Sequence, residues 1–360
     1  MKNFLMQCLI WLFSVVCLVL IVVFAASPKQ TPEITDEKGE VLDDGIAEIR
    51  DIDLNGVKQR VLVRGQNRDN PILLHLHGGP GGTDQMVMRH SNLHLEDLFT
   101  VVYWDQRGSG ASYHKTMSME DLSLDNIVND GVTLAKLLLE EFDQDKLYLQ
   151  GHSWGTFVGV HMVAEAPELF YAYFSIGQVA DSKRAEKLSW EFAMNAAKRA
   201  GDQKTIDGLN KIGSPPYNSE QEWLKTATKE RALMRPYEMP DGSQFISMFE
   251  TYKLATFYPE YSVPDKLNAL AGTSKSLQKL WGVVINANLF ETHPAIDVPL
   301  YMVQGKYDQH TVTEVAKDYF DFVQAPYKEY LSFDESAHWP HLNEPEKYRA
   351  LLERVLVKNE

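Results

Sequence analysis

Cysteine is nearly absent from this chain, with only two among 360 residues. Cys8 and Cys17 lie in one apolar segment, and on a helix they would be about 13 Å apart, which is too far for a disulfide bond. The remainder of the chain has no cysteine. A disulfide framework is therefore excluded there, and cysteine usage gives no indication of the redox compartment.

Positive charge is also scarce, since 35 lysines and arginines stand against 50 aspartates and glutamates, for a net charge of −15. Nucleic acids and anionic lipid surfaces are bound through clustered basic residues, so the excess of acidic residues argues against both as partners. Internal repeats and low-complexity tracts are absent as well. The hydrophobic fraction of 44% is that of a globular protein, and the length suffices for a sizeable core.

The one long apolar run covers residues 4–26 and contains no charged residue, with Lys2 just before it. About 20 apolar residues can cross a bilayer as a helix, whereas the apolar core of a cleaved signal peptide has about 7–15. The run therefore predicts a single-pass transmembrane anchor at residues 1–27, with the rest of the chain on the periplasmic or extracellular side. Cleavage near the Ala-Ala-Ser sequence at 25–27 stays open. Residues 28–44, acidic and containing Pro28 and Pro32, predict a linker.

After the linker, short strands alternate with helical patterns, which predicts a mostly parallel sheet covered by helices on both sides. The strands are expected at residues 47–54, 58–64, 72–77, 100–104, 146–149, 172–176, 300–304 and 329–333. Residues 181–290 have few β-branched runs and many aromatic side chains. We interpret this segment as a helical cap between core segments 45–180 and 291–360. Such a cap shapes a pocket and excludes water.

Residues 151–155, Gly-His-Ser-Trp-Gly, follow the apolar run 147–149 and precede helix-forming residues. A glycine-flanked serine between a strand and a helix is typical of a nucleophile elbow, where only glycine fits beside the sharply turned serine. The pattern alone is weak evidence. Its weight comes from a glycine-rich stretch at 77–82, a Gly-Lys-Tyr-Asp sequence at 305–308 and a histidine at 338. Nucleophile, acid and histidine then follow the chain order of the α/β-hydrolase fold.

A serine hydroxyl needs a base before it can act as a nucleophile at neutral pH. For Ser153 the favoured base is His338, in the loop after the last strand. Asp308 follows the preceding strand, and its role would be to orient the imidazole and stabilise the imidazolium that forms. The alternatives are His310 or His341 for the base, and Asp334 or Glu335 for the acid.

The oxyanion of an acyl-transfer intermediate needs hydrogen-bond donors. We expect them to be the backbone amides of Trp154, directly after the nucleophile, and of Gly79, in a loop whose glycines allow close approach to a ligand. A phosphate cradle is the rival interpretation of this loop, but the Lys-Ser/Thr ending and the dinucleotide spacing are both missing. His75 and His77 share one strand face without a third ligand at a convincing spacing, so we predict no metal site.

Stretches 77–81 (His-Gly-Gly-Pro-Gly), 105–108 (Asp-Gln-Arg-Gly), 151–155 and 305–308, together with His338, resemble the prolyl aminopeptidase (proline iminopeptidase) family. This is a peptidase branch of the α/β-hydrolases. The resemblance covers the core, from about residue 46 to 179 and from about 294 to the C-terminus. It implies a triad of Ser153, Asp308 and His338, the oxyanion hole named above, and no metal or organic cofactor.

The cap departs from that family. Prolyl aminopeptidases hold the free α-amine of the substrate with cap glutamates in a helix rich in Trp and Glu, and this cap offers only a poor match, Met-Phe-Glu at 248–250. We nominate Glu250 as the amine ligand, because an unpaired buried ammonium would be prohibitive. The alternative interpretation is a solvated helix residue.

These observations predict a membrane-anchored serine hydrolase that cleaves an amide or ester bond of a short-peptide or small-molecule substrate through an acyl-enzyme. Two chemistries stay open: an aminopeptidase that releases N-terminal proline, and a carboxylesterase or other small-molecule ester hydrolase. A catalytically silent binding module of this fold is a remote alternative, since it has no need of the full set of residues. A dehalogenase or epoxide hydrolase would need Asp as nucleophile, where this chain has Ser153.

Overall fold

The computed structural model describes Met6, Trp11, Ser14 and residues 22–91, 93–241 and 246–359. Its centre is an eight-stranded sheet in the spatial order β1-β2-β4-β3-β5-β6-β7-β8. The strands are Ile46–Leu54 (β1), Val57–Gly65 (β2), Ile72–Leu76 (β3), Thr100–Trp104 (β4), Leu147–His152 (β5), Phe170–Ile176 (β6), Leu300–Gly305 (β7) and Lys328–Phe333 (β8). Strand β2 pairs antiparallel with β1 and β4, and every other pair is parallel. The predicted mostly parallel sheet is confirmed.

Helices follow most of the strands. They are Gln85–His90 (α1), Leu124–Phe142 (α2), Trp154–Glu165 (α3), Ser182–Ala200 (α4), Gln203–Ile212 (α5), Glu220–Glu238 (α6), Met248–Phe257 (α7), Val263–Ile285 (α8), Leu289–Thr292 (α9), Thr313–Phe322 (α10), Pro340–Asn343 (α11) and Pro345–Asn359 (α12). Alternate side chains of a strand point to opposite faces, so Leu74 packs with α2, α3 and α10 while its neighbour Leu73 packs with α1 and α12. Both faces of the sheet are thereby buried under helices.

Helices α4 to α9 lie between β6 and β7 in the chain and build a layer of their own. Two apolar clusters hold this layer together, one joining α4, α5 and α6 and the other joining α6 and α8. Helix α8 fastens it to the loops at the sheet edge. Ser276 Oγ donates to the carbonyl of Gly108 at 2.9 Å, and Thr273 Oγ1 donates to the carbonyl of Gly81 at 2.7 Å.

The predicted transmembrane anchor is wrong on this structure. Within the described part of the chain, no helix has both the length and the apolar character needed to cross a bilayer. Residues 1–5, 7–10, 12–13 and 15–21, with both cysteines, lie outside the described residues. The single-pass membrane location and the bilayer partner rested on that helix and are corrected with it.

The predicted linker at residues 28–44 contacts the core in several places. Arg64 Nη1 donates to Thr31 Oγ1 and to the carbonyl of Pro32, both at 2.5 Å. Thr35 and Val41 form an isolated antiparallel bridge within the segment. Polar side chains of the core thus hold a stretch whose own composition offers little apolar surface to bury.

Candidate active site

The turn between β5 and α3 presents Ser153 at the carboxyl edge of the sheet. Ser153 has φ 54° and ψ −118°, outside the regions that L residues ordinarily adopt. A Cβ on Gly155 would overlap the carbonyl oxygen of Leu76, and one on Gly151 would lie 2.5 Å from the carbonyl oxygen of Gly155. The close approach of α3 to β3 therefore requires Gly155, and the tight turn from β5 into α3 requires Gly151. This is the local geometry expected of a nucleophile elbow.

Asp308 and His338 form a hydrogen-bonded pair beside this turn. Asp308 follows β7, is fully buried, and its Oδ2 lies 2.9 Å from His338 Nδ1. The amides of His310 and Thr311 donate to Oδ1 at 2.8 and 2.9 Å, and the Thr311 hydroxyl donates to Oδ2 at 2.7 Å. Burial alone would raise the pKa of Asp308, but the charge and hydrogen bond of His338, with the backbone donors, lower it below its usual range. The carboxylate is therefore ionised and fixes the imidazole.

The alternatives for the base and the acid lack the contacts that the triad requires. Among the described residues, only His338 of the three candidate histidines bonds to Asp308 through its ring. His310 stacks on His338 with ring centroids 4.7 Å apart, and His341 is buried against His152. The rival acids at 334 and 335 are exposed.

One cavity of about 340 Å³ collects the predicted residues. Ser153, His338, Gly79 and Trp154 all line it, while Asp308 lies behind His338. Its remaining wall comes from the loops after β6 and β7 and from helices α4, α6, α8 and α10. The structure thus brings the predicted nucleophile, base and oxyanion donors to one space under the helical layer.

The two candidate oxyanion amides are available for a ligand. Trp154 opens α3, and the first amides of a helix have no partner within it. Neither the Trp154 amide nor the Gly79 amide donates a hydrogen bond to any residue that the structure describes. Gly79 has φ 144°, and a Cβ there would lie 2.7 Å from the amide nitrogen of Gly81. Only glycine fits this tight loop.

The loop after β4 stabilises the site through an ion pair and several hydrogen bonds. Arg107 pairs with the buried carboxylate of Asp130 through Nε at 2.7 Å and Nη2 at 2.9 Å. The backbone amide of Gln106 donates to His77 Nε2, and its side-chain amide donates to the His77 carbonyl, both at 3.1 Å. It also accepts a hydrogen bond from the Trp154 indole at 3.0 Å. These contacts tie the two loops that carry the candidate oxyanion donors.

The ring nitrogens of His75 and His77 form hydrogen bonds with other groups of the protein. His75 bonds to Asp84 and to Gln150, both at 2.8 Å. His77 bonds to the Gly78 carbonyl at 2.7 Å. Over residues 22–91, 93–241 and 246–359, no group of three or more candidate metal ligands occurs. Their contacts make both histidines part of the hydrogen-bonded frame of the site.

The structure does not bring Glu250 to the cavity. Glu250 is exposed at the start of α7, where its amide donates to Ser247 Oγ at 3.1 Å and its carboxylate accepts from Ser247 Oγ at 2.9 Å. The Ser247 amide also donates to this carboxylate, which completes a capping box. Phe249 and Tyr252 beside it are 78% and 62% exposed. The nomination of Glu250 as amine ligand is corrected: it is a helix-capping residue.

The cap supplies other buried charges that the sequence reasoning missed. Glu186 of α4 lines the cavity and pairs with Arg231 of α6 at 2.5 Å. Glu230 is buried next to this pair and accepts from the Ser189 hydroxyl at 2.7 Å. Burial, and then the charge of Glu186, raise the pKa of Glu230 to about 7. Glu238 lies at the end of α6, where burial and Asp308 raise its pKa to about 7 as well.

A signal for Glu230 was present in the sequence. In α6 the buried positions include Trp223, Ala227, Glu230 and Met234, which repeat at the helical spacing of one face. A glutamate inside such an apolar stripe is a buried carboxylate that must be protonated, paired or functional. Glu250 has no such setting.

Comparisons with known proteins agree with this fold. A family model for the alpha/beta hydrolase fold matches residues 71–345. The chain is 31% identical to the probable aminopeptidase YbaC of Bacillus subtilis (strain 168), over 86% of this chain and 96% of that protein. It is 22% identical to the proline iminopeptidase of Heyndrickxia coagulans, over 84% and 96%. The solved structure of a proline iminopeptidase-related protein from Thermus thermophilus superposes with a TM-score of 0.58 at 20% identity, covering 87% of this chain and 98% of that one, which shows the shared fold. The chain therefore belongs to the α/β-hydrolase family, as an aminopeptidase-like hydrolase of its prolyl-aminopeptidase-like branch.

Proposed function

We propose that the protein is a serine aminopeptidase that removes an N-terminal residue, with proline as a favoured one, from short peptides. One observation carries this proposal: Ser153 faces the same cavity as the Asp308-bonded His338 and two unpaired backbone amides. Nucleophile, base, orienting acid and oxyanion donors are the parts that acyl transfer by serine requires.

In the proposed mechanism, Ser153 Oγ attacks the scissile carbonyl while His338 takes its proton. Asp308 holds the imidazole and stabilises the imidazolium. The amides of Gly79 and Trp154 donate to the oxyanion of the tetrahedral intermediate. His338 then gives the proton to the leaving nitrogen as the C–N bond breaks, which leaves an acyl-enzyme on Ser153. Water, deprotonated by His338, hydrolyses that ester and frees the serine.

Glu186 replaces Glu250 as our proposed ligand of the substrate α-ammonium. It lines the cavity that contains Ser153, and Glu230 lies behind it as a second carboxylate. A cation bound beside Glu186 would lie near two carboxylates and only one guanidinium, that of Arg231. Its positive charge would favour ionisation of Glu230. The apolar side chains of Ala185, Leu277 and Trp281 nearby suit a small, uncharged side chain such as proline.

The test compares kcat/KM for prolyl-arylamide with a free amine against the same compound N-acetylated. The wild type should prefer the free amine, and Glu186→Gln should reduce that preference about 10- to 100-fold, because a charged hydrogen bond is lost. Glu250→Gln is the matched control and should leave the preference unchanged. Thermal unfolding of each variant checks that the loss of the Arg231 partner has not unfolded the cap.

Ester hydrolysis is the second candidate. It is favoured by the salt bridge between Glu186 and Arg231, which gives the cavity carboxylate an internal counterion and leaves less need for a substrate ammonium. If the acetylated compound or a plain aryl ester is cleaved as well as the free amine, this alternative replaces the aminopeptidase. Labelling by a fluorophosphonate probe, lost in Ser153→Ala, separates either enzyme from a silent binding module.

A further inference from the structure

A second cavity, of about 310 Å³, adjoins the first across His338. The two share Thr228, Arg231, His310 and His338 in their walls. The second cavity is not lined by Ser153 or by the candidate oxyanion residues. Its other walls are α6, Met239 and Ile246, the loop around Trp339 and the end of α11. Its size is in the range of small-molecule sites.

The chemistry of the proposed reaction indicates which part of a substrate would occupy the second cavity. His338 must deliver its proton to the leaving nitrogen, so that nitrogen lies against the imidazole. The acyl carbon lies at Ser153, in the first cavity. Whatever continues from the leaving nitrogen therefore extends past His338 into the second cavity, which His338 lines and Ser153 does not.

The second cavity also contains an arginine that has no carboxylate within salt-bridge distance among the described residues. Arg235 of α6 lines it, is half-buried, and makes no side-chain hydrogen bond or ion pair with the residues that the structure describes. Among the other described arginines, only Arg199, which is exposed in the last turn of α4, also lacks a salt-bridge partner. Each of the rest has a carboxylate within salt-bridge distance. Arginine is almost never fully buried unless it is paired, and a partly buried guanidinium still loses part of its hydration. An open one in a cavity points to an anionic ligand.

The other charged groups around Arg235 leave it available. Arg231 is paired with Glu186. Glu238 is partly buried on the same helix, and its carboxylate accepts from the Gln309 amide at 3.4 Å and lies 3.7 Å from His310 Nε2. Burial and Asp308 raise the pKa of Glu238 to about 7, so Glu238 is only partly ionised at neutral pH, and it forms no ion pair with Arg235 within salt-bridge distance.

We propose that the second cavity is a leaving-group subsite in which Arg235 binds the C-terminal carboxylate of the departing amino acid. This inference rests on the proposed function and narrows its substrate class to dipeptides with free ends. A planar guanidinium accommodates a carboxylate bidentately. The acidic side of the first cavity and the open arginine of the second then match the two opposite charges of a zwitterionic dipeptide.

The experiment measures binding without turnover, so that it does not depend on the catalytic proposal. Calorimetry on Ser153→Ala compares prolyl-alanine with prolyl-alaninamide, which differ only in the carboxylate. We expect the free acid to bind about 10- to 100-fold more tightly, as for a charged hydrogen-bonded pair. Adding Arg235→Met should remove that difference, Arg235→Lys should restore part of it, and Arg199→Met should leave it intact.

The outcomes separate the two proposals. Equal binding of acid and amide, failure of both to bind, or an acid preference that survives Arg235→Met overturns the carboxylate subsite. Turnover of prolyl-arylamide by the wild type, whose leaving group has no carboxylate, tests the aminopeptidase proposal by itself. Arylamide cleavage without a carboxylate preference in binding would retain the enzyme and reject the subsite.

Discussion

At the scale of single residues, the site depends on side chains whose positions the backbone holds firmly. Ser153 stands at a positive φ between two glycines that no larger residue could replace. Asp308 accepts hydrogen bonds from two backbone amides on Oδ1 and from the Thr311 hydroxyl on Oδ2, so its orientation is set before any substrate binds. Such preorganisation is what allows a hydroxyl and an imidazole to react without reorganising their surroundings.

From this arrangement we expect Ser153→Ala, His338→Ala and Asp308→Asn each to lower kcat by about 10⁴-fold or more. Double variants should lose little beyond the worse single, because the three residues act as one unit. The measurement is kcat on prolyl-arylamide, with circular dichroism to confirm folding and exposed Glu250→Gln as control. Near-normal turnover in a folded variant would remove that residue from the triad.

The sequence indicated these three residues because each follows a strand of a recognisable alternating pattern. Carboxyl ends of parallel strands meet at one edge of the sheet, so chain order alone placed Ser153, Asp308 and His338 in a plausible triad. Glu186 and Arg235 could not be found in this way. Whether a helical residue of the cap faces the cavity depends on how α4 and α6 pack, which local periodicity does not specify.

At the scale of elements, the contact between α4 and α6 is built around charge. Ser189 and Glu186 of α4 meet Glu230 and Arg231 of α6. Two carboxylates facing one guanidinium leave an excess of negative charge in a buried interface. This explains why the pKa of Glu230 is raised to about 7, first by burial and then by the charge of Glu186.

This arrangement makes the stability of the protein depend on pH. The folded-state pKa of Glu230 lies above its unfolded value, about 4.3, so its contribution is fully present below that value and is lost as pH rises through about 7. Glu230→Gln is neutral throughout and keeps an oxygen for the Ser189 hydroxyl. The free energy of unfolding of the variant, relative to wild type, should therefore rise between pH 5 and pH 8 by on the order of 3 kcal/mol.

Urea unfolding at pH 5, 6, 7 and 8 measures this difference. Glu191→Gln, an exposed position on α4, is the control and should show no such trend. A difference for Glu230→Gln that stays flat with pH, or that falls as pH rises, would mean that Glu230 is already ionised in the acid range.

At the scale of the whole molecule, the predicted sheet was right and the predicted anchor was wrong. A local sequence pattern indicates buried strands, but it does not specify the environment of an isolated apolar run. Buried strands are recognisable because both faces of a parallel sheet are covered and each strand is mostly apolar; β3, β4 and β7 are buried along their whole length. An apolar run by itself, such as residues 4–26, has the composition of a spanning helix but does not establish one. The tertiary contacts that would decide its environment are not encoded in a local pattern.

The same scale includes the buried ion pair that joins three parts of the fold. Asp130 of α2 is fully buried and accepts from Arg107, in the loop after β4. It also accepts from Asn55 at 2.9 Å, in the turn between β1 and β2, and from Gln59 at 2.5 Å, on β2. Removal of the guanidinium would leave a buried carboxylate with only neutral donors, which is far more destabilising than loss of an exposed pair.

We therefore expect Arg107→Met to lower the free energy of unfolding by about 3–5 kcal/mol. Arg184→Met, which breaks exposed ion pairs between α4 and α10, is the control and should lower it by less than about 1 kcal/mol. The double variant Arg107→Met with Asp130→Leu should regain part of the loss, because no charge then stays buried without a partner. Equal urea midpoints for Arg107→Met and Arg184→Met would contradict the structural role of the pair. A double variant no more stable than Arg107→Met would instead assign the loss to packing of the arginine rather than to the stranded carboxylate.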